Sequence, residues 1–149
     1  MRIYLDLCCL KRPFDLQEQP VVRLQTEAVL SILALPPGTV ELLRSQALLL
    51  ENSLNLNQAR RDAVALWLSE AAVIALEETP LTTRVDELIA KGFKSFDAFH
   101  LASAELSGAA AFLTVDLPLL KLAARVSGEL RVRVTGPVHF IEEISQWKH

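Results

Sequence analysis

No apolar run in this sequence approaches the roughly 18 residues a helix needs to cross a bilayer, and no secretory leader is visible, since Met1 and Arg2 run straight into a short apolar stretch. These absences lead to the expectation of a cytoplasmic protein without a membrane partner. Cysteine is nearly missing: Cys8 and Cys9 are the whole complement, and they are adjacent. Neighbouring cysteines rarely pair with each other, and this spacing does not make a metal site. A disulfide scaffold is excluded, and the two are read as small residues near the core. A surplus of positive charge is missing too. Fifteen Lys and Arg stand against 18 Asp and Glu, for a net charge of −3. That argues against general nucleic-acid binding through a basic surface. It leaves room for a nuclease, because carboxylates gathered to hold cations lower the net charge. Repeats, low-complexity segments and linkers are also missing. With 149 residues, 51% of them hydrophobic, the chain is read as one folded domain over residues 1–149.

What is present begins with Arg2-Ile3-Tyr4-Leu5-Asp6. The run is short, apolar, and β-branched or aromatic at its centre, which fits a strand buried on both faces inside an α/β sheet. Further strands are expected over Val40–Leu43, Ala72–Leu76, Ala110–Val115 and Arg131–Val134, the last at an edge because charges alternate along it. Helical spacing covers Val21–Leu35, ended by Pro36-Pro37-Gly38. Ser45 caps a helix over Gln46 to about Ser53, and another runs from Gln58 to Leu68. Thr79-Pro80 opens a helix that Gly92 ends. Ser95 caps one from Phe96 to about Leu106, Pro118–Ala124 is helical, and a last helix follows Gly136-Pro137 towards Trp147. Alternation of strands and helices predicts an α/β fold: a sheet of about five mainly parallel strands with helices on both faces.

In such sheets ligands bind at the carboxyl ends of the strands. Asp6 ends the first strand and Asp116 the fourth. Asp97 lies in the first turn of the helix feeding the fourth strand, and Glu51 lies in an apolar segment after the second. Each acid alone also reads as a cap, a dipole partner or a surface charge. Four converging carboxylates repel one another, and cations stabilise such a cluster. Oxygen ligands without paired His or Cys favour Mg²⁺ or Mn²⁺ over zinc. Two such ions about 3.5–4 Å apart clamp an in-line attack on a phosphodiester.

The stretches IYLDLCCLKRPFD, SQALLLE, SFDAFHLASAELSGAAAFLTVDLPLLKLA and VRVTGPVHFIEE resemble a PIN domain, the family that includes the VapC-like ribonuclease toxins of bacterial toxin–antitoxin pairs. The resemblance spans nearly the whole chain, and its most specific part is Asp-Ala-x-His-Leu-Ala followed by Phe-Leu-Thr-x-Asp. It implies a catalytic, metal-holding site at Asp6, Glu51, Asp97 and Asp116, with Thr114 orienting a carboxylate or a water. It also implies Mg²⁺ or Mn²⁺ dependence, RNA as substrate, a small antitoxin protein as partner and a homodimer. Glu41 competes with Glu51 but falls inside the second strand. Leu117 departs from the family, whose members often carry an acidic or polar residue there.

Other residues carry secondary expectations. Lys11 and Arg12 follow the first strand and are candidates to hold substrate phosphates. His100 falls one turn after Asp97 and reads as a hydrogen-bonded helix histidine or a site contact. Arg60 and Arg61 lie on a helix's outer side, while Trp67 and Trp147 read as packing or interface residues. Two rival functions stand beside the ribonuclease. A haloacid-dehalogenase-type phosphatase needs a second Asp two positions after the first, where this chain has Cys8. A non-catalytic PIN-like module would bind protein or RNA without cutting it.

Overall fold

The computed structural model describes residues 1–146, and Trp147 lies outside them. Ile3, Tyr4 and Leu5 of β1 (Arg2–Leu5) are all buried. The strand occupies the centre of a five-stranded sheet in the order β3-β2-β1-β4-β5. The other strands are β2 (Glu41–Arg44), β3 (Ala72–Val73), β4 (Ala111–Leu113) and β5 (Arg133–Thr135). Every neighbouring pair is parallel, as the alternating pattern requires.

The connections are helical: α1 (Leu7–Lys11), a 3₁₀ turn (Arg12–Phe14) and α2 (Pro20–Leu33) lead to β2, and α3 (Gln46–Ser53) and α4 (Gln58–Ser69) lead to β3. Then α5 (Glu78–Ala90) and α6 (Ser95–Leu106) reach β4, α7 (Leu117–Arg125) reaches β5, and α8 (Pro137–Gln146) follows. The chain builds outward from β1 to β2 and β3, then crosses back to β4 and β5. Right-handed connections therefore place α2 and the α5–α6 pair on opposite faces. α2 packs against α8, and α6 against both α5 and α3. Between β1 and β4 the chain departs in opposite directions, and that reversal opens a crevice at the strands' carboxyl edge.

β4 (Ala111–Leu113) is shorter than expected and β5 (Arg133–Thr135) starts later, and three other elements differ from the sequence expectation. β3 spans two residues instead of five. It pairs Leu43 with Ala72 and Arg44 with Val73, and one more bond runs from Ile74 N to Arg44 O. Beyond Arg44 its partner turns into the Ser45 cap of α3, so β3 has no further template. α1 was not expected, because five residues are too few to display a helical period. α5 begins at Glu78, which sets Pro80 inside the first turn, where its missing N–H has no helical partner to lose.

Arg84 fastens α5 to α6. Its Nε and Nη2 donate to the two oxygens of Glu105 at 2.6 and 3.1 Å, Nη1 donates to Glu87 at 2.8 Å, and Nη2 also reaches the Glu129 carbonyl at 2.8 Å. The Glu105 side chain is fully buried. These hydrogen bonds, led by Glu105, hold the guanidinium's pKa above its ordinary value. The fork thus sets the position of α6, which carries Asp97 and His100.

Candidate active site

Strand register brings Asp6 to the crevice. The ladder runs one bond past β1, with Asp6 N donating to Leu113 O at 2.9 Å, which sets Asp6 beside Thr114. The Asp6 carboxylate accepts from Leu7 N (2.8 Å), Thr114 Oγ1 (2.8 Å) and the Cys8 thiol (3.3 Å). It is only 5% exposed. Asp6 therefore caps α1 with one oxygen while the other meets Thr114. Thr114 Oγ1 in turn accepts from Asp116 N at 3.1 Å, so one hydroxyl ties the ends of β1 and β4 together. Asp116 caps α7 through Oδ1, which accepts from Leu119 N at 3.1 Å. Capping and a place in the crevice, which read as alternatives from the sequence, coexist in both residues.

Asp6, Glu51, Asp97 and Asp116 all border one open cleft of about 360 Å³, together with Leu7, Cys8, Lys11, Leu54, Asn55 and Phe96. Not all four acids are equally close. Ligand atoms of Asp6, Glu51 and His100 lie within 4.8 Å of one another; Asp97 and Asp116 line the same cleft without joining that group. Glu41 lies away from this cleft: it pairs with Arg2 at 3.1 Å at the start of β2, at the opposite edge of the sheet. A larger hollow of about 750 Å³ lies at that opposite edge, against Leu33, Val40 and Trp67, and holds no such cluster.

Among the described residues, none of the four acids is ion-paired with Lys or Arg; the nitrogen beside them is His100 Nε2, at 2.9 Å from Glu51 and 3.9 Å from Asp6. Asp97 bears the consequence. Burial, followed by the charges of Asp6 and Asp116, pushes its pKa from the ordinary 3.8 up to about 6; Glu51 adds to the rise and His100 opposes it. The folded chain therefore binds the Asp97 proton more tightly than the unfolded chain does. Stability contributed at low pH is lost as pH rises between 3.8 and about 6. In chelator, the melting temperature of the wild-type protein is expected to fall across that window relative to Asp97→Asn, and a saturating divalent cation should flatten the difference. Identical pH profiles for the two proteins would contradict the repulsion.

The basic candidates separate. Lys11 borders the cleft and has no ion-pair partner among the described residues. Arg12 is taken by Asp15 at 3.0 Å, and Arg60 by Asp15 at 3.5 Å and the Phe14 carbonyl at 2.8 Å. Both brace the loop after α1. Trp67 packs against Phe14, with ring centroids 5.5 Å apart. Cys9 is buried, and burial raises its thiol pKa. Cys8 departs from the core reading, since it lines the cleft and meets Asp6 and Thr114. Tyr4 lies inside the strand expected to be buried on both faces, and it is buried. It proves to be hydrogen-bonded to both Ser45 and His100, a link that residues 96 positions apart give no periodic signal for.

No protein-family model and no curated protein matches the chain. Solved structures match in fold. VapBC-1 from nontypeable Haemophilus influenzae superposes with a TM-score of 0.60 at 11% identity, over 92% of this chain and 98% of that one. VapBC2 from Rickettsia felis, bound to a DNA fragment from their promoter, gives 0.54 at 13% identity, over 91% and 98%. The chain shares its fold with chains of these VapBC structures, in line with the fold its motifs led one to expect.

Proposed function

We propose that this chain, whose fold is of the PIN type, is a divalent-metal-dependent endoribonuclease cleaving RNA phosphodiester bonds, the toxin of a toxin–antitoxin pair. One observation carries the reading: four carboxylates from separate elements border one cleft at the sheet's reversal point with no Lys or Arg ion pair among the described residues. The acids that border the cleft suit Mg²⁺ or Mn²⁺, being carboxylate oxygens. Asp97 sits half-buried against three other acids and accepts no hydrogen bond among the described residues, a strain that a cation relieves.

In this reading Asp6 and Asp97 hold the principal ion, Asp116 completes that position or a second one, and Glu51 orients or deprotonates the attacking water. The ion, when bound, offsets the charge of cluster and phosphate and lets water react near neutral pH. Thr114 fixes the Asp6 carboxylate, and Lys11 on the cleft wall offers its ammonium to a substrate phosphate. The likeness in fold to the VapBC structures supports a small antitoxin partner. Exposed Leu49, Leu50 and Leu56, with Leu54 on the cleft wall, are apolar surface suited to a protein contact, with the antitoxin or in a homodimer. No helix among the described residues is long and apolar enough to cross a membrane, in keeping with action on cytoplasmic RNA.

The test is RNA cleavage with and without chelator. EDTA is expected to abolish cleavage and excess Mn²⁺ or Mg²⁺ to restore it. Cleavage that persists through chelation rules out the metal-dependent reading.

A further inference from the structure

Among the described residues His100 is the one nitrogen ligand grouped with the acids, within 4.8 Å of Asp6 and Glu51 ligand atoms, and that placement makes it an apparent metal ligand. Its other neighbours decide differently. Nδ1 lies 2.6 Å from Tyr4 Oη, and Tyr4 Oη meets Ser45 Oγ. Ser45 Oγ also accepts from Leu48 N at 3.1 Å, as the cap of α3. Tyr4 and His100 are fully buried, and Ser45 is 2% exposed.

A buried O–H without an acceptor is costly, so the donors can be assigned in sequence. Among the described residues the Ser45 hydroxyl has one acceptor within reach, Tyr4 Oη. The Tyr4 hydroxyl, having accepted from Ser45, can donate only to His100 Nδ1. That makes Nδ1 an acceptor and puts the imidazole proton on Nε2, which donates to Glu51 Oε1 at 2.9 Å. The reverse assignment strands a buried hydroxyl proton at Ser45 or at Tyr4. Burial raises the Tyr4 pKa well above its ordinary value, so the phenol keeps the proton this chain needs. His100 also does not border the cleft, whereas Glu51 does.

We propose that Ser45, Tyr4 and His100 form a hydrogen-bond chain of fixed direction that aims the Glu51 carboxylate into the cleft, so that His100 is a positioning residue and not a metal ligand. One oxygen of Glu51 is held by His100, and the other is left for the cleft. The chain joins β1, α6 and α3, so the helix that carries Asp97 also orients the acid on α3. A metal bound here gains no nitrogen ligand, and the site takes hard cations through oxygen alone. The mechanistic part rests on the ribonuclease reading above; the direction of the chain does not.

The experiment is a long-range ¹H–¹⁵N spectrum of imidazole-labelled protein at neutral pH, without and with saturating Mg²⁺. His100 is expected to show the neutral Nε2–H form in both. In Tyr4→Phe, Glu51 still accepts from Nε2–H, so the tautomer should stay while the Nδ1 resonance shifts on losing its donor, and turnover on RNA should fall on the order of tenfold while Mg²⁺ affinity stays within about twofold. An Nδ1–H form in the wild type, loss of the Nε2 proton on adding Mg²⁺, or a Tyr4→Phe protein with an unshifted Nδ1 resonance each overturns the proposal. Should Tyr4→Phe not fold, the wild-type spectra decide alone. Failure of the wild type to cut RNA counts against the ribonuclease reading and leaves the spectra to judge the hydrogen-bond chain.

Discussion

Asp6→Asn should reduce RNA cleavage on the order of a thousandfold or more, the scale of losing about 4 kcal/mol of transition-state stabilisation, with the fold retained. Asn keeps the contacts to Leu7 and Thr114 and gives up the hydrogen bond from the Cys8 thiol. Its carbonyl still accepts from Leu7 N, and its amide can donate to Thr114 Oγ1, whose own proton can turn to the Cys8 thiol 3.3 Å away. What disappears is a negative charge at the centre of the acidic cleft. Asp97→Asn should lose cleavage to a similar degree but move stability the other way. Without metal its carboxylate is charged at neutral pH against burial and repulsion, so its removal raises the melting temperature in chelator. A residue that improves function while it burdens the fold produces this pair of opposite responses. Circular dichroism and melting in EDTA, beside cleavage rates in Mn²⁺, measure both. Retained cleavage in purified Asp6→Asn protein would refute the site.

Arg84→Met should cost about 3–5 kcal/mol, the usual consequence of removing one partner of a buried ion pair. Glu105, whose side chain is fully buried, would keep the Arg131 N–H as donor at 2.8 Å but lose its counter-charge. At roughly 2–4 °C per kcal/mol for a chain of this size, the melting temperature falls by about 10 °C. Arg84→Lys should recover only part of this, because an ammonium cannot reproduce the two-pronged bond to Glu105. Denaturant unfolding of the two variants checks the order. A loss below about 1 kcal/mol for Arg84→Met would mean that the pair behaves like a surface salt bridge.

The sequence made the sheet's centre legible because β1 is buried on both faces and reads as an unbroken apolar run. Ser45 was legible as a cap because a hydroxyl before an apolar helix has a local task, and its side chain does accept from Leu48 N. Asp6 and Asp116 stood out for being acids at strand ends, and Glu51 for being a carboxylate among leucines. The lengths of β3 and α1 were not legible: β3 ends where its partner turns away, and α1 is shorter than the period that would reveal it. The Tyr4–His100 bond and the placing of Cys8 against Thr114 depend on strand register and helix docking between distant segments, which no local pattern encodes. His100 reads from the sequence as a hydrogen-bonded helix histidine or a site contact one turn after Asp97, but its partners on β1 and α3 leave no local pattern.

The central claim is that divalent cations hold these carboxylates together, and Mn²⁺ titration of the metal-free protein at neutral pH, followed by electron paramagnetic resonance and by melting temperature, tests it most directly. Saturable uptake is expected, with about 2.7 kcal/mol of added stability at a hundred times the dissociation constant, and both effects lost in Asp6→Asn. Wild-type protein that takes up no Mn²⁺ at millimolar concentration and melts at the same temperature with or without it would contradict the account.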